Sequence, residues 1–240
     1  MILDVLAVGA HPDDVELGCG GTLINLHDAG YRAGVVDLTD AALSTRGDVE
    51  NRRKEADAAA NLMGISERFR LDLKETSILS HSDSVLELVS LIRKYRPHIM
   101  LAPYWEDRHP DHADASQLVQ RAAFWAGVSK FGDAQPPHRP HRIVYYFIHT
   151  MGPVSFAVDI SSVFDRKLRV VRAFRSQFLP QPGSDSMTFI SRPEFLESLI
   201  SRARFYGAQI GAEYAEPFHV RELSRVEDLV GWAGIQGVVG

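Results

Sequence analysis

Residues 3–14 read Leu3-Asp4-Val5-Leu6-Ala7-Val8-Gly9-Ala10-His11-Pro12-Asp13-Asp14. The first seven positions form a short, nearly continuous apolar run, the pattern of a parallel strand covered on both faces. The run stops at a polar loop, 10–16. Gly18, Gly20 and Gly21 follow before residues 22–29, which read as a helix ended by Gly30 at its C-cap. Residues 32–38 repeat the strand pattern, and residues 49–63, rich in Ala, Glu, Lys and Arg, predict a helix that stops at Gly64.

The alternation continues outward from this start. Residues 69–73 predict a third strand. Ser84 and Glu87, at the spacing of a capping box, open a helix whose Val85, Leu88, Ile92 and Tyr95 share one face, and Pro97 stops it. Residues 98–103 form a fourth strand, 111–126 a helix and 143–148 a fifth strand. Such regular alternation predicts an α/β fold: a Rossmann-like open, mostly parallel sheet flanked by helices on both faces. The last third is less regular, with a strand at 156–160, one continuous amphipathic helix over 163–178 carrying Phe164, Leu168, Val171 and Phe174 on one face, and a helix over 194–206. Two Pro- and Gly-rich stretches, 135–140 and 180–183, read as surface loops because apolar segments resume within a few residues. A single domain over 1–240 is the simplest organisation.

Composition narrows the function classes. With 240 residues, 45% of them hydrophobic and 24% charged, the chain can bury a large core without help from disulfides or metal. A net charge of -5 leaves no basic footprint, which argues against a nucleic-acid partner. No run of 18 apolar residues exists, which argues against a membrane span. Residues 1–10 carry Asp4 and no basic start, and so read as a buried strand and not a signal peptide. The single Cys19 excludes an internal disulfide framework and a multi-cysteine metal cluster, and fits a reducing compartment; the cytoplasm is the expected location.

In open α/β sheets ligands bind outside the carboxyl ends of the strands. Two loops in that position have unusual compositions: His11-Pro12-Asp13-Asp14 after strand one, and Arg108-His109-Pro110-Asp111-His112 after strand four. Together they bring three histidines and three aspartates to neighbouring strand ends. A lone His is commonly a surface residue and an Asp after a strand is often an N-cap, but like charges gathered in a crevice repel and lose hydration unless a cation joins them. Catalytic zinc takes three such ligands and keeps a position for water, which leaves an aspartate and a histidine for acid-base work. Gly18, Gly20 and Gly21 could suggest a dinucleotide site, but that fingerprint needs its first glycine directly after the strand, and here His11, Asp13, Asp14 and Glu16 come first. These glycines read better as permitting close helix-to-sheet packing, with Cys19 a small packing residue. The other seven histidines carry no functional signal.

The stretch 10–16 followed by Gly18-Cys19-Gly20-Gly21-Thr22, together with His109-Pro110-Asp111-His112, resembles the LmbE-like/PIG-L family of zinc-dependent N-acetylglucosaminide deacetylases. The resemblance extends to Asp37-Leu38-Thr39, Ser44-Thr45-Arg46-Gly47, residues 52–56, Ser176-Gln177-Phe178 and Tyr214-Ala215-Glu216, and is nearest to the bacillithiol-pathway branch, which deacetylates N-acetylglucosaminyl-malate. It implies a single zinc held by His11, Asp14 and His112. It further implies Asp13 as general base, and His109 as the oxyanion-stabilising cation and proton donor, oriented by Asp111. Arg52 would contact substrate, although the alignment leaves Arg53 as an alternative. A homo-hexamer is also implied. His and Asp ligands suit zinc and equally Fe(II), Mn(II) or Co(II).

The chemistry supports these roles: zinc brings the pKa of water toward about 7, within reach of an adjacent carboxylate such as Asp13. Asp111 beside His109 is expected to raise that histidine's pKa and keep it protonated. A malate aglycone would call for cations, and Arg46, Arg52 and Arg108 lie on loops expected to ring the site. The loop 130–142 is expected to form a rim or lid. The main reading is thus hydrolytic N-deacetylation of a small amino-sugar substrate, N-acetylglucosaminyl-malate first. The alternatives are another N-acetyl amino sugar, chitobiose- or inositol-linked, and a non-catalytic metal-dependent sugar-binding protein.

Overall fold

The computed structural model describes residues 2–80, 83–179, 187–223 and 225–228. The elements follow the chain as β1 (Val5–Gly9), α1 (Asp14–Asp28), β2 (Ala33–Asp37), α2 (Val49–Met63), β3 (Glu67–Arg70), α3 (Ser84–Tyr95), β4 (Ile99–Pro103), α4 (Pro110–Ala126), β5 (Arg142–Tyr146), β6 (Phe156–Asp159), a 3-10 turn (Ser161–Val163), α5 (Phe164–Ala173), α6 (Arg175–Phe178), α7 (Pro193–Gln209) and β7 (Ala215–His219).

One seven-stranded sheet, in the order β3-β2-β1-β4-β5-β7-β6, carries the molecule. β1 to β5 are parallel, with Val5 opposite both Ala33 and Ile99, and β7 runs antiparallel to β5 and β6. Alternation along each strand divides the core in two. Val5 and Ala7 of β1 join α1, α2, α5 and α7 on one face, whereas Leu6 and Val8 join α3 and α4 on the other. The expected α/β architecture is therefore the one observed.

Four local expectations give way. Helix α1 begins at Asp14, inside the expected loop, and bends at Cys19, whose φ of -142° interrupts it. Gly18 explains the close approach: a Cβ there would lie 2.0 Å from the Tyr146 ring. The expected continuous helix over 163–178 breaks at Phe174 (ψ 62°), so that Ser176 can bond Glu55 through its N–H and Oγ, both at 2.7 Å, and Gln177 can donate to the Arg46 carbonyl. β7 falls in a stretch to which the sequence reading assigns no element, and it contains Pro217, a residue that strand ladders ordinarily exclude. It is tolerated here because the ladder to β5 stops after two pairs, at Phe218, just before the residue that has no N–H to give. Finally, the loop 130–142 is not a rim of the site. His138 Nε2 donates to the Pro97 carbonyl and the His141 N–H to the His98 carbonyl, both at the amino end of β4, where α4 running back across the sheet must deliver the chain. The 180–183 loop lies outside the described residues.

Candidate metal-dependent active site

Strand order across the sheet reverses between β1 and β4, so their carboxyl ends open a crevice. β1 delivers His11, Asp13 and Asp14, and the loop after β4 delivers Asp107, His109, Asp111 and His112. A cavity of about 300 Å³ is lined by His11, Asp13, Asp14, His109, Asp111 and His112 together with Glu75, Thr76 and Gln177. Asp13 caps α1 with φ at 124°, a backbone that costs on the order of 1–3 kcal/mol for a non-glycine residue and is held by its surroundings. The Arg52 guanidinium donates to the Pro12 carbonyl at 2.7 Å and lies 3.4 Å from the Asp13 carboxylate. His109 is the N-cap of α4, Pro110 its first residue, and Asp111 and His112 occupy its first turn.

The donor set fits a divalent cation. The Asp14 carboxylate sits between the two rings, 3.5 Å from His11 Nδ1 and 3.2 Å from His112 Nε2. The opposite nitrogen of each ring is tied back: His11 Nε2 to Asp111 at 3.1 Å, and His112 Nδ1 to Asp107 at 3.1 Å. A carboxylate behind each histidine is the usual support of a metal-binding imidazole. His109 also offers a ring nitrogen within 4.8 Å of nitrogens of His11 and His112. The site's demand for positive charge is visible in its titration. Burial disfavours charge on His11, yet hydrogen bonds to Asp111 and Asp14 overcome it and push the ring up to about 10. His112 rises to about 9 against the same burial, through Asp14 and Asp107. Burial pushes Asp13 up to about 7, with Arg52 opposing and Asp14 adding to the rise, so this carboxylate can exchange a proton near neutrality.

Residues 6–123, which contain both motif loops, match the family described as PIG-L, GlcNAc-PI de-N-acetylase. The chain is 32% identical over 227 residues to the diacetylchitobiose deacetylase of Thermococcus kodakarensis, covering 88% of this chain and 80% of that one. The chain belongs to the PIG-L family. Among solved structures, a conserved protein of Thermus thermophilus superposes with a TM-score of 0.83 at 34% identity, covering 94% of this chain and 98% of that one. A probable N-acetyl-alpha-D-glucosaminyl L-malate deacetylase of Bacillus cereus is 28% identical, over 72% of this chain and 83% of its own length. The expected nearness to that branch is therefore not what is found: the chitobiose relative is the more similar of the two. This PIG-L chain is a hydrolytic enzyme.

Within the PIG-L site, the six motif residues His11, Asp13, Asp14, His109, Asp111 and His112 all line the one cavity. Their wiring departs from expectation at Asp111. Its carboxylate faces His11 and the Thr76 N–H, while His109 Nδ1 receives only the Asp111 backbone N–H at 3.3 Å. Burial and the neighbouring His11 and His112 lower the His109 pKa, outweighing the opposing charges of Asp14 and Asp111. Arg52, not Arg53, reaches the cavity; Arg53 is exposed beside Asp72. Arg46 is buried away from the cavity, donating to the Leu179 carbonyl at 2.7 Å. Arg108 is exposed and stacks 4.4 Å above Phe189.

Two contributors escaped the sequence reading. Asp107, besides holding His112, accepts the N–H groups of His109, His149 and Thr150, and so pins the loops after β4 and β5 together. Those bonds hold it well below the usual carboxylate range despite burial. His149 stacks on His112 with ring centroids 5.6 Å apart, and burial pushes it down to about 4. Its signal was position: it stands just beyond the expected fifth strand, at the same edge as the two motifs.

Proposed function

We propose that this enzyme hydrolyses the N-acetyl group of an N-acetylglucosamine unit in a small conjugate, releasing acetate and a free amine. The observation that carries the reading is the Asp14 carboxylate set between His11 Nδ1 and His112 Nε2, each ring braced by its own carboxylate, with Asp13 beside it. His11, Asp14 and His112 would hold a divalent ion, zinc in our reading, and that ion supplies Lewis acidity toward the acetamide carbonyl and acidifies water. Asp13, poised near neutrality, takes the proton of the attacking water, and Arg52 holds its carboxylate in place. His109, half-buried beside the other donors with Nδ1 accepting the Asp111 N–H, offers its other ring nitrogen as a donor to the developing oxyanion, and the proton taken by Asp13 passes to the departing nitrogen as the C–N bond breaks.

The group attached to the sugar is the open choice, between a second sugar, as in the Thermococcus relative's name, and a malate, as in the Bacillus relative's. Of the three arginines read for malate, Arg46 is tied to a backbone carbonyl away from the cavity, Arg108 lies outside it, and only Arg52 lines it, beside Asp13. The experiment is release of primary amine from N,N'-diacetylchitobiose and from N-acetylglucosaminyl-malate by metal-loaded protein, with and without chelator. Chelator-sensitive release from either supports the reading. No release from either by protein shown to contain metal removes it.

A further inference from the structure

A second cavity, of about 210 Å³, adjoins the metal-site crevice through His149 and is closed by Ile148, Met151, Phe189, Phe195 and Arg202. Phe189 forms the partition: its neighbours Thr188 and Ile190 line the main crevice, and Arg108 stacks on its ring. The walls are apolar and aromatic with one strong charge, Arg202 of α7.

Arg202 is half-buried on the wall of this cavity, and its charge is not answered as those of three other core cations are. Arg68 faces Asp37 and Glu16, Arg52 faces Asp13, and Lys167 faces Glu216. Arg202 donates through Nη1 to the Ile148 carbonyl at 2.6 Å, with the Met151 sulfur 3.9 Å away, and among the described residues it has no carboxylate partner and no acceptor for Nε or Nη2. The carboxylates whose charge reaches it are engaged elsewhere. Glu216 holds Lys167 and the Gly21 and Thr22 N–H groups, and Asp107 holds His112 and three backbone N–H groups. A guanidinium without a counter-ion on an apolar cavity wall is open to an anion, and its planar fork matches a carboxylate.

We propose that Arg202 and this cavity form a subsite that binds a carboxylate carried by the group attached to the substrate's sugar. The proposal rests on the N-deacetylase reading and names the substrate class within it: acidic conjugates over neutral ones. His149 lines both cavities, so the subsite lies next to the place a substrate takes at the metal-site donors.

The test compares wild type, R202Q and R202K, all metal-loaded, in amine release from N-acetylglucosaminyl-malate and N,N'-diacetylchitobiose, and in calorimetric binding of succinate as a probe. Wild type is expected to show the lower KM for the malate conjugate. R202Q is expected to raise that KM at least about tenfold, the loss of a charge-assisted contact of ~1.4 kcal/mol or more, with kcat kept and the chitobiose KM unchanged. R202K, which keeps the charge and loses the fork, falls between the two. Equal KM shifts on both substrates, or none on the malate conjugate, would mean that Arg202 only packs and would overturn the proposal. Wild type that does not bind succinate overturns it even where R202Q fails to fold. Succinate binding lost in R202Q without amine release from either sugar leaves the subsite standing and removes the deacetylase reading instead.

Discussion

At the scale of single residues, the site divides labour among four aspartates that composition alone cannot tell apart. Asp14 lies between two histidine rings, Asp107 and Asp111 stand behind those rings, and Asp13 is paired with Arg52. Different consequences follow for each. D13N should keep its metal and lose at least about a hundredfold in kcat, the loss of a general base; metal content and single-turnover rates check this, and an unchanged rate would remove Asp13 from the role. His112→Ala should lose metal and activity together, and retention of one equivalent of zinc would exclude His112 as a ligand. D107N and D111N should each weaken metal affinity by about 10–100-fold, the usual effect of removing a supporting carboxylate. Competition with a chelating dye measures it. For D111N, intact affinity with a lowered kcat would return Asp111 to the service of His109.

Among the elements, α1 decides the site's geometry. Its first turn presents Asp14, its bend at Cys19 lets Gly18 lie on Tyr146, and Glu216 of β7 accepts from the Gly21 and Thr22 N–H groups, at 2.9 and 2.7 Å, where the second half of the helix begins. Lys167 of α5 neutralises that carboxylate, and both side chains are almost wholly buried. G18A should therefore destabilise the protein by about 1–3 kcal/mol or more, since the added methyl meets a ring held between helix and sheet; thermal melts should show a fall of several degrees. K167M leaves a buried carboxylate unpaired and should lose about 3–5 kcal/mol in urea unfolding, part of it regained on adding E216Q. The glycine cluster was readable in advance as a packing device. The role of Glu216 was not, because its α1 partners lie about 195 residues away along the chain and Lys167 lies 49 away.

Across the whole molecule, buried acidic groups from separate elements collect in the crevice and behind it, with Asp13, Asp14 and Asp111 lining it and Glu16 beneath, all nearly inaccessible. Arg68 answers Glu16, and Arg52 answers Asp13. A bound cation should then act on the stability of the entire fold. At a hundredfold excess over its Kd it should add about 2.7 kcal/mol, and chelator should lower the Tm accordingly. Melting curves of metal-loaded and stripped protein provide the check, and identical curves would show that the cluster holds no ion. Among the described residues no helix is long and apolar enough to cross a membrane.

What the sequence determined by itself is what local pattern encodes: apolar runs that make buried parallel strands, helix formers ended by Gly30 and Gly64, and two His/Asp loops at strand ends. Those runs and loops sufficed for the α/β sheet and for the six motif residues around the cavity. Only the tertiary structure decided which carboxylate serves which histidine, because hydrogen bonds such as Asp111 to His11 join residues about 100 positions apart and depend on the register of β1 against β4. It also decided that β7 is a strand despite Pro217 and that Arg202 stands beside the site. In both cases the deciding contact lies on a neighbouring element, and neither a propensity nor a spacing along the chain records it.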